Sequence, residues 1–298
     1  MIFGMNTGCL INRYVEPHDW AKLVGETFGL RHVQLTTEMI RPDLDWSVHK
    51  LLIGEIKQAC AQYSVSIPEV FTDAFSRVNH FAHPIPEVRA HWMRWMKRAC
   101  EIAVELGADS FGSHPGITTS RDAADPTRYE ASTAQVVEGW QELAAFAKTL
   151  GMKSLLWEPM SIRREFGETI TKAQALHRRL NDGAAIPVLM CFDVDHGDVS
   201  STNLKDTDPY AWMETFAGDI GSIHLKQSGK NKDGHRPFIP EFNTTGRILA
   251  QDFMKAASKL TRPKRLFLEL SFREREPADS LLVPQLKASI DYWRPFLK

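Results

Sequence analysis

PEVRAHWMRWMKRACEIAVELGADSFGSHPG, residues 86–116, holds two periodicities back to back. Its first part spaces Val88, Trp92, Trp95, Ala99, Ile102 and Leu106 three or four apart, the apolar stripe of a helix packed on one side. Gly107 follows, where a helix end favours glycine. Residues 109–116 then read as a short strand that runs out at Ser113-His114-Pro115-Gly116. Helix, stop, strand and a polar strand end form the repeating element of an alternating α/β chain.

The unit recurs in both directions. Strand-like runs stand at 2–8 (IFGMNTG), 32–38 (HVQLTTE), 65–72 (VSIPEVFT), 154–160 (SLLWEPM), 188–196 (VLMCFDVDH), 222–227 (SIHLKQ) and 265–271 (RLFLELS). QVVEGWQELAAFAKTLG (135–151) is a second helix, with Val136, Trp140, Leu143, Ala147 and Leu150 on its stripe and Gly151 at its end. Eight such strands over 298 residues predict a (β/α)8 TIM barrel. A doubly wound open sheet is the rival, but no Gly-rich dinucleotide fingerprint follows the first strand. No linker divides the chain, so residues 1–298 are expected to form a single TIM-barrel domain. The longest polar loops, 197–208 and 228–246, follow strands six and seven, where loops over an active face belong.

Composition narrows the function. Hydrophobic content of 43% and charged content of 24% suit an ordinary soluble protein. A net charge of -1 argues against a nucleic-acid partner. Four scattered cysteines without a CxxC pair point to reduced thiols. The N-terminus has no basic start followed by a long apolar stretch, and no run reaches the roughly 20 apolar residues of a membrane span. A cytoplasmic protein without membrane contact is the expectation.

Four strand ends carry the chemistry. Glu158, Asp193, His224 and Glu269 each close or follow a β-rich apolar run on strands five to eight. In a barrel those ends converge, and three carboxylates with one imidazole make a hard, oxygen-rich site for one divalent cation. A lone histidine between Ile223 and Leu225 would otherwise be read as a satisfied core residue. Asp195 shares a strand face with Asp193 by alternation, so either aspartate fits as the ligand. His196, three residues after Asp193, His114 at the end of strand four and Asn6 at the end of strand one are candidate lining. Lys226, Lys230, Lys232, Arg236 and Arg273 read as solvated loop charges or, one or two of them, as a phosphate clamp. Trp92 and Trp95 read as core packing, while His80 and His83 either reach the mouth or face water.

With these residues in this order, the whole chain resembles the xylose-isomerase-like superfamily of barrels. That group holds sugar and sugar-phosphate isomerases and epimerases, inosose dehydratases and apurinic endonucleases. By resemblance to its ketose 3-epimerases, Glu158, Asp193, His224 and Glu269 are the metal ligands, and His196 and Glu165 contact substrate. Those epimerases carry an Arg six residues after the metal histidine, where this chain has Lys230, a point charge without the planar fork. VFTDAFSRVNH (70–80) and Glu158-Pro159-Met160-Ser161 look most like the tetrulose-phosphate racemases or epimerases of tetritol catabolism.

The resemblance implies an isomerase that epimerises a small ketose or ketose phosphate through an enediolate, with Glu158 and Glu269 as the acid/base pair. The implied cofactor is one divalent ion, Mn2+ or Mg2+ favoured, Co2+ or Zn2+ usable. The implied partner is a small sugar or sugar phosphate, in a homodimer or homotetramer. An inosose-dehydratase-type lyase shares the same groups. An apurinic-endonuclease-like three-zinc phosphodiesterase would add His80 or His83, His114, His196 and the pair Asp233 and His235, against a charge unsuited to DNA.

Overall fold

The computed structural model describes residues 1–229, 234–262 and 264–297. Eight strands, Ile2–Asn6 (β1), His32–Thr36 (β2), Ser66–Phe71 (β3), Ser110–Ser113 (β4), Ser154–Trp157 (β5), Val188–Asp193 (β6), Ile220–Leu225 (β7) and Arg265–Leu268 (β8), pair in sequence order. All are parallel, and β8 returns to β1 to close the barrel. Helices lie between them, as the alternation predicted, and their apolar faces share one core with the outward residues of the strands.

Period-two alternation sorts each strand. Val70, Leu155, Met190, Ile223 and Leu266 face outward into the helix layer. Phe71, Leu156, Leu189 and Cys191 form a separate small apolar cluster inside the barrel. Gly112 makes room for it, because a Cβ there would lie 2.2 Å from the Phe71 ring and 2.8 Å from Leu156 Cβ. Other inward positions are polar: Gln34, Glu69, Ser222 and His224 are all fully buried.

The helix of the opening stretch, Pro86–Glu105, forms, but its stripe is turned. Met93, Met96, Ala99, Cys100, Ile102 and Ala103 are buried, whereas Trp92 and Trp95 are half-buried. Small and flexible side chains sit where the helix lies on the strands. The indoles also rest on each other at 5.2 Å and line an outer cavity with Phe75 and Glu38; Trp95 still packs against the core's edge, so the core reading is corrected for Trp92. The second helix, Pro126–Thr149, buries Val136, Trp140, Leu143 and Ala147 as its stripe predicts.

Gly112→Ala should destabilise the protein by about 1–3 kcal/mol, the usual range for overpacking a filled interior. Urea denaturation measures it. A wild-type midpoint would mean that the Phe71 ring yields without cost.

Candidate active site

The inward series of the strands reaches its last step at or just past the strand ends. Leu156 leads to Glu158, Cys191 to Asp193, and Phe267 to Glu269, while His224 lies inside β7. The four side chains meet at the C-terminal mouth, each offering a ligand atom within 4.8 Å of the others. His224 Nδ1 stands 3.0 Å from Glu158 Oε1 and 3.5 Å from Glu269 Oε2. Asp193 and His224 are fully buried and Glu158 is nearly so.

Of the two aspartates, it is Asp193 that joins the cluster, because of where β6 ends. Asp193 is its last residue; the chain then turns, so alternation no longer carries Asp195 to the same side. Asp195 instead takes the Ser228 hydroxyl and lies 3.3 Å from Arg247 Nη2. Its N–H donates to Asp193 Oδ1 at 2.7 Å. That leaves Asp193 Oδ2 buried and without a hydrogen bond, although the Lys226 ammonium lies against it. Three carboxylates and one imidazole gathered this closely fit a hard divalent cation.

A polar column beneath the cluster orients the imidazole. Gln34 Oε1 accepts from Asn6 Nδ2 at 2.5 Å and from His224 Nε2 at 2.8 Å, while Gln34 Nε2 and Ser222 Oγ each donate to Glu69 Oε1 at 2.6 Å. With its proton held on Nε2, His224 turns Nδ1 toward the carboxylates, the orientation a metal ligand needs. Burial pulls the His224 pKa down, but Cys191 and the carboxylates of Glu269 and Glu158 outweigh it and hold the pKa well above the ordinary value. Burial likewise pushes Glu69 upward, opposed by its hydrogen bond from Ser222 and by Arg265.

A cavity of about 390 Å³ opens above the cluster, lined among others by Asn6, Asp73, Arg77, His114, His196 and His235. His196 donates from Nδ1 to the Pro159 carbonyl at 2.9 Å and presents Nε2 3.4 Å from Asp193 Oδ2.

A family model for the xylose isomerase-like TIM barrel matches residues 24–280. The chain belongs to this family. A D-erythrulose 1-phosphate 3-epimerase from Brucella abortus (strain 2308) is 40% identical over 299 residues, covering 100% of this chain and 96% of that protein. With that relationship the chain is an enzyme of the isomerase class. Among solved structures, a Rhodospirillum rubrum ATCC 11170 barrel provisionally named a xylose isomerase superposes with a TM-score of 0.89 at 24% identity, covering 99% of both chains. The D-psicose 3-epimerase of Clostridium cellulolyticum H10, solved with D-tagatose, gives 0.74 at 14% identity, covering 100% of both. At those identities the two structures speak for the fold alone.

The other sequence candidates of this xylose isomerase-like barrel fall unevenly around its mouth. Asn6 lines the cavity, but its amide is engaged by Gln34 and by the Gly8 N–H at 2.7 Å. Glu165 does not line the described cavity; both its oxygens accept from Arg77 Nη2 at 2.5 Å. Lys230, Lys232 and Asp233 lie outside the described residues. Lys226, read as a loop charge, is fully buried in the cluster. Of the three-zinc set, His114, His196 and His235 line the same cavity, whereas His80 is buried between Trp92 and His114 and lies 2.7 Å from the Ser76 carbonyl.

Sequence reasoning missed Asp73, Arg77, Gln34 and Glu69. Alternation on β2 and β3 was the available signal for the last two. Asp73 sits so close to the loop after β1 that a Cβ on Gly8 would lie 1.8 Å from its Oδ2. Burial above all, with Glu269 adding, pushes its carboxyl up to about 7.

His114 is buried, its Nδ1 accepting the Gly116 N–H at 3.1 Å. Burial, then the nearby Arg77 guanidinium, push its pKa down to about 3, from an ordinary 6.5. Between those values the unfolded chain binds a proton that the folded one refuses. Stability is therefore lost as pH falls through this window, by about 1.4 kcal/mol per pH unit for one such histidine. His114→Asn should flatten the fall in denaturation free energy from about pH 6.5 to 4.5. An unchanged slope would show that His114 protonates in the folded state.

Proposed function

We propose that the protein is a divalent-metal-dependent 3-epimerase of a small ketose phosphate, a tetrulose phosphate above all. One observation carries the reading: two carboxylates from non-neighbouring strands, Glu158 on β5 and Glu269 on β8, flank one cation-fitting centre under one cavity. The relationship to a D-erythrulose 1-phosphate 3-epimerase along the full chain supports the substrate class.

Glu158, Asp193, His224 and Glu269 would hold the ion, with Mn2+ or Mg2+ the best match to their hardness. Bound there, it supplies Lewis acidity toward the ketose carbonyl and the adjacent hydroxyl, which acidifies the carbon between them. Glu158 and Glu269 approach that carbon from different sides. One removes its proton and the other returns a proton to the opposite face, which inverts the centre. Lys226 and His224 hold Glu269 well below the usual carboxylate range against the effect of burial, so it stands ionised. His196, fixed by its hydrogen bond to Pro159, orients a substrate hydroxyl through Nε2.

The phosphate falls to Arg77. It lines the cavity half-exposed, and Glu165 grips only one of its nitrogens, so its fork keeps donors that bond nothing else among the described residues. Arg13, the other arginine of the lining, is taken up by Asp279 and by carbonyls of Cys9, Phe272 and Arg273. Glu165 thereby serves as the residue that orients Arg77.

Glu158→Gln and Glu269→Gln should each lower turnover by about 10²-fold or more. Wild-type enzyme in D2O should place deuterium at the carbon beside the carbonyl without losing water. Retention of more than about a tenth of activity in either variant sinks the two-base reading, and loss of water would indicate the lyase. Arg77→Met should raise KM for the phosphorylated ketose at least about tenfold while leaving the unphosphorylated sugar's KM within about threefold. Equal effects on both would remove Arg77 from phosphate recognition.

A further inference from the structure

Lys226 lies two residues beyond His224, so alternation turns it to the same inward side of β7. Its side chain is completely shielded from solvent. The ammonium contacts Asp193 Oδ2, donates to Glu269 Oε2 at 2.6 Å and stands 2.7 Å from His235 Nε2. Among the described residues it is the one lysine or arginine paired with any of the four cluster side chains.

Charge explains why an ammonium belongs there. With all three ionised, Glu158, Asp193 and Glu269 bring three negative charges into a buried space where an uncompensated charge is costly. A divalent ion cancels two of them. The third remains, beside the carbon on which enolisation would build another negative charge. We propose that Lys226 is the charge-balancing residue of this centre: a resident ammonium shared by Asp193 and Glu269 that makes the ion-loaded cluster neutral. Its effect has two opposite signs. It repels the divalent ion, and so weakens binding, yet it keeps the loaded site from opposing the charge that develops on the substrate. Between ion departures it also keeps the three carboxylates from facing one another without any cation.

The binding half of the inference concerns the ion alone, and the turnover half rests on the epimerase reading. Lys226→Met keeps the length and apolar stem and removes the charge. Titration of the folded variant with Mn2+ should give a dissociation constant at least about tenfold lower than wild type. Turnover of the ketose phosphate should fall at least about tenfold at saturating Mn2+, with KM within about threefold. The metal-free variant should melt at least about 5 °C below metal-free wild type, with most of that gap closed by Mn2+.

Lys226→Arg, which keeps the charge, should bind Mn2+ within about threefold of wild type. A metal-free Lys226→Met that does not fold is refolded with Mn2+ and its affinity taken by chelator competition. Unchanged or weaker Mn2+ binding in Lys226→Met overturns the inference, as does wild-type turnover with tighter binding. Tighter binding together with a wild-type enzyme inert on every ketose phosphate leaves the charge balance standing and removes the epimerase reading instead.

Discussion

Negative charge gathered at the C-terminal mouth of a parallel barrel is the constraint around which the rest of this molecule is arranged. Strand geometry forces it: once Glu158, Asp193 and Glu269 take inward positions at the strand ends, they have nowhere to go but toward one another. Water cannot relieve them, since Asp193 is fully buried and Glu158 nearly so. The neighbours accordingly supply positive or donating groups from several sides, among them Lys226, His196 and His224.

The consequences run down the barrel axis. His224 leans on Gln34, Gln34 on Glu69, and Glu69 on Ser222 and Arg265, with Arg265 bound in turn to Asp109 at the opposite end. Part of the interior is thus a hydrogen-bonded column, beside the apolar plug of Phe71, Leu156, Leu189 and Cys191. Buried polar groups of this kind are tolerable only when each finds a partner, and here most find two. The column holds the imidazole in one orientation without help from the loops.

Much of this was legible in the residues. Strands carry a short apolar run and an abrupt polar end, and the four cluster residues stood at such ends, so barrel and cluster emerged together. Asp195 was misread because alternation was extended past the point where β6 turns. Lys226 was misread for the opposite reason: alternation from His224 was not extended, and a lysine two residues on was assigned to the loop. Trp92 and Trp95 fit a helical stripe by spacing alone, but the stripe that faces the strands is set by side-chain size at close approach, which spacing does not encode. The pairing of Arg77 with Glu165 joins residues 88 positions apart on two loops and has no local signal at all.

Arg77 and Glu165 lie on loops, whereas the cluster and the column beneath it lie on strands. Arg77 faces the same cavity as the cluster, but no hydrogen bond among the described residues connects the two groups. In the proposed function, recognition of the phosphate by Arg77 and the reaction at the cluster therefore belong to separate layers of one scaffold. Exchanging the loops after β3 and β5 would retune the choice of molecule with the reactive machinery left in register. Such a barrel is a modular starting point for redesign, with a rigid inner cassette and an interchangeable rim.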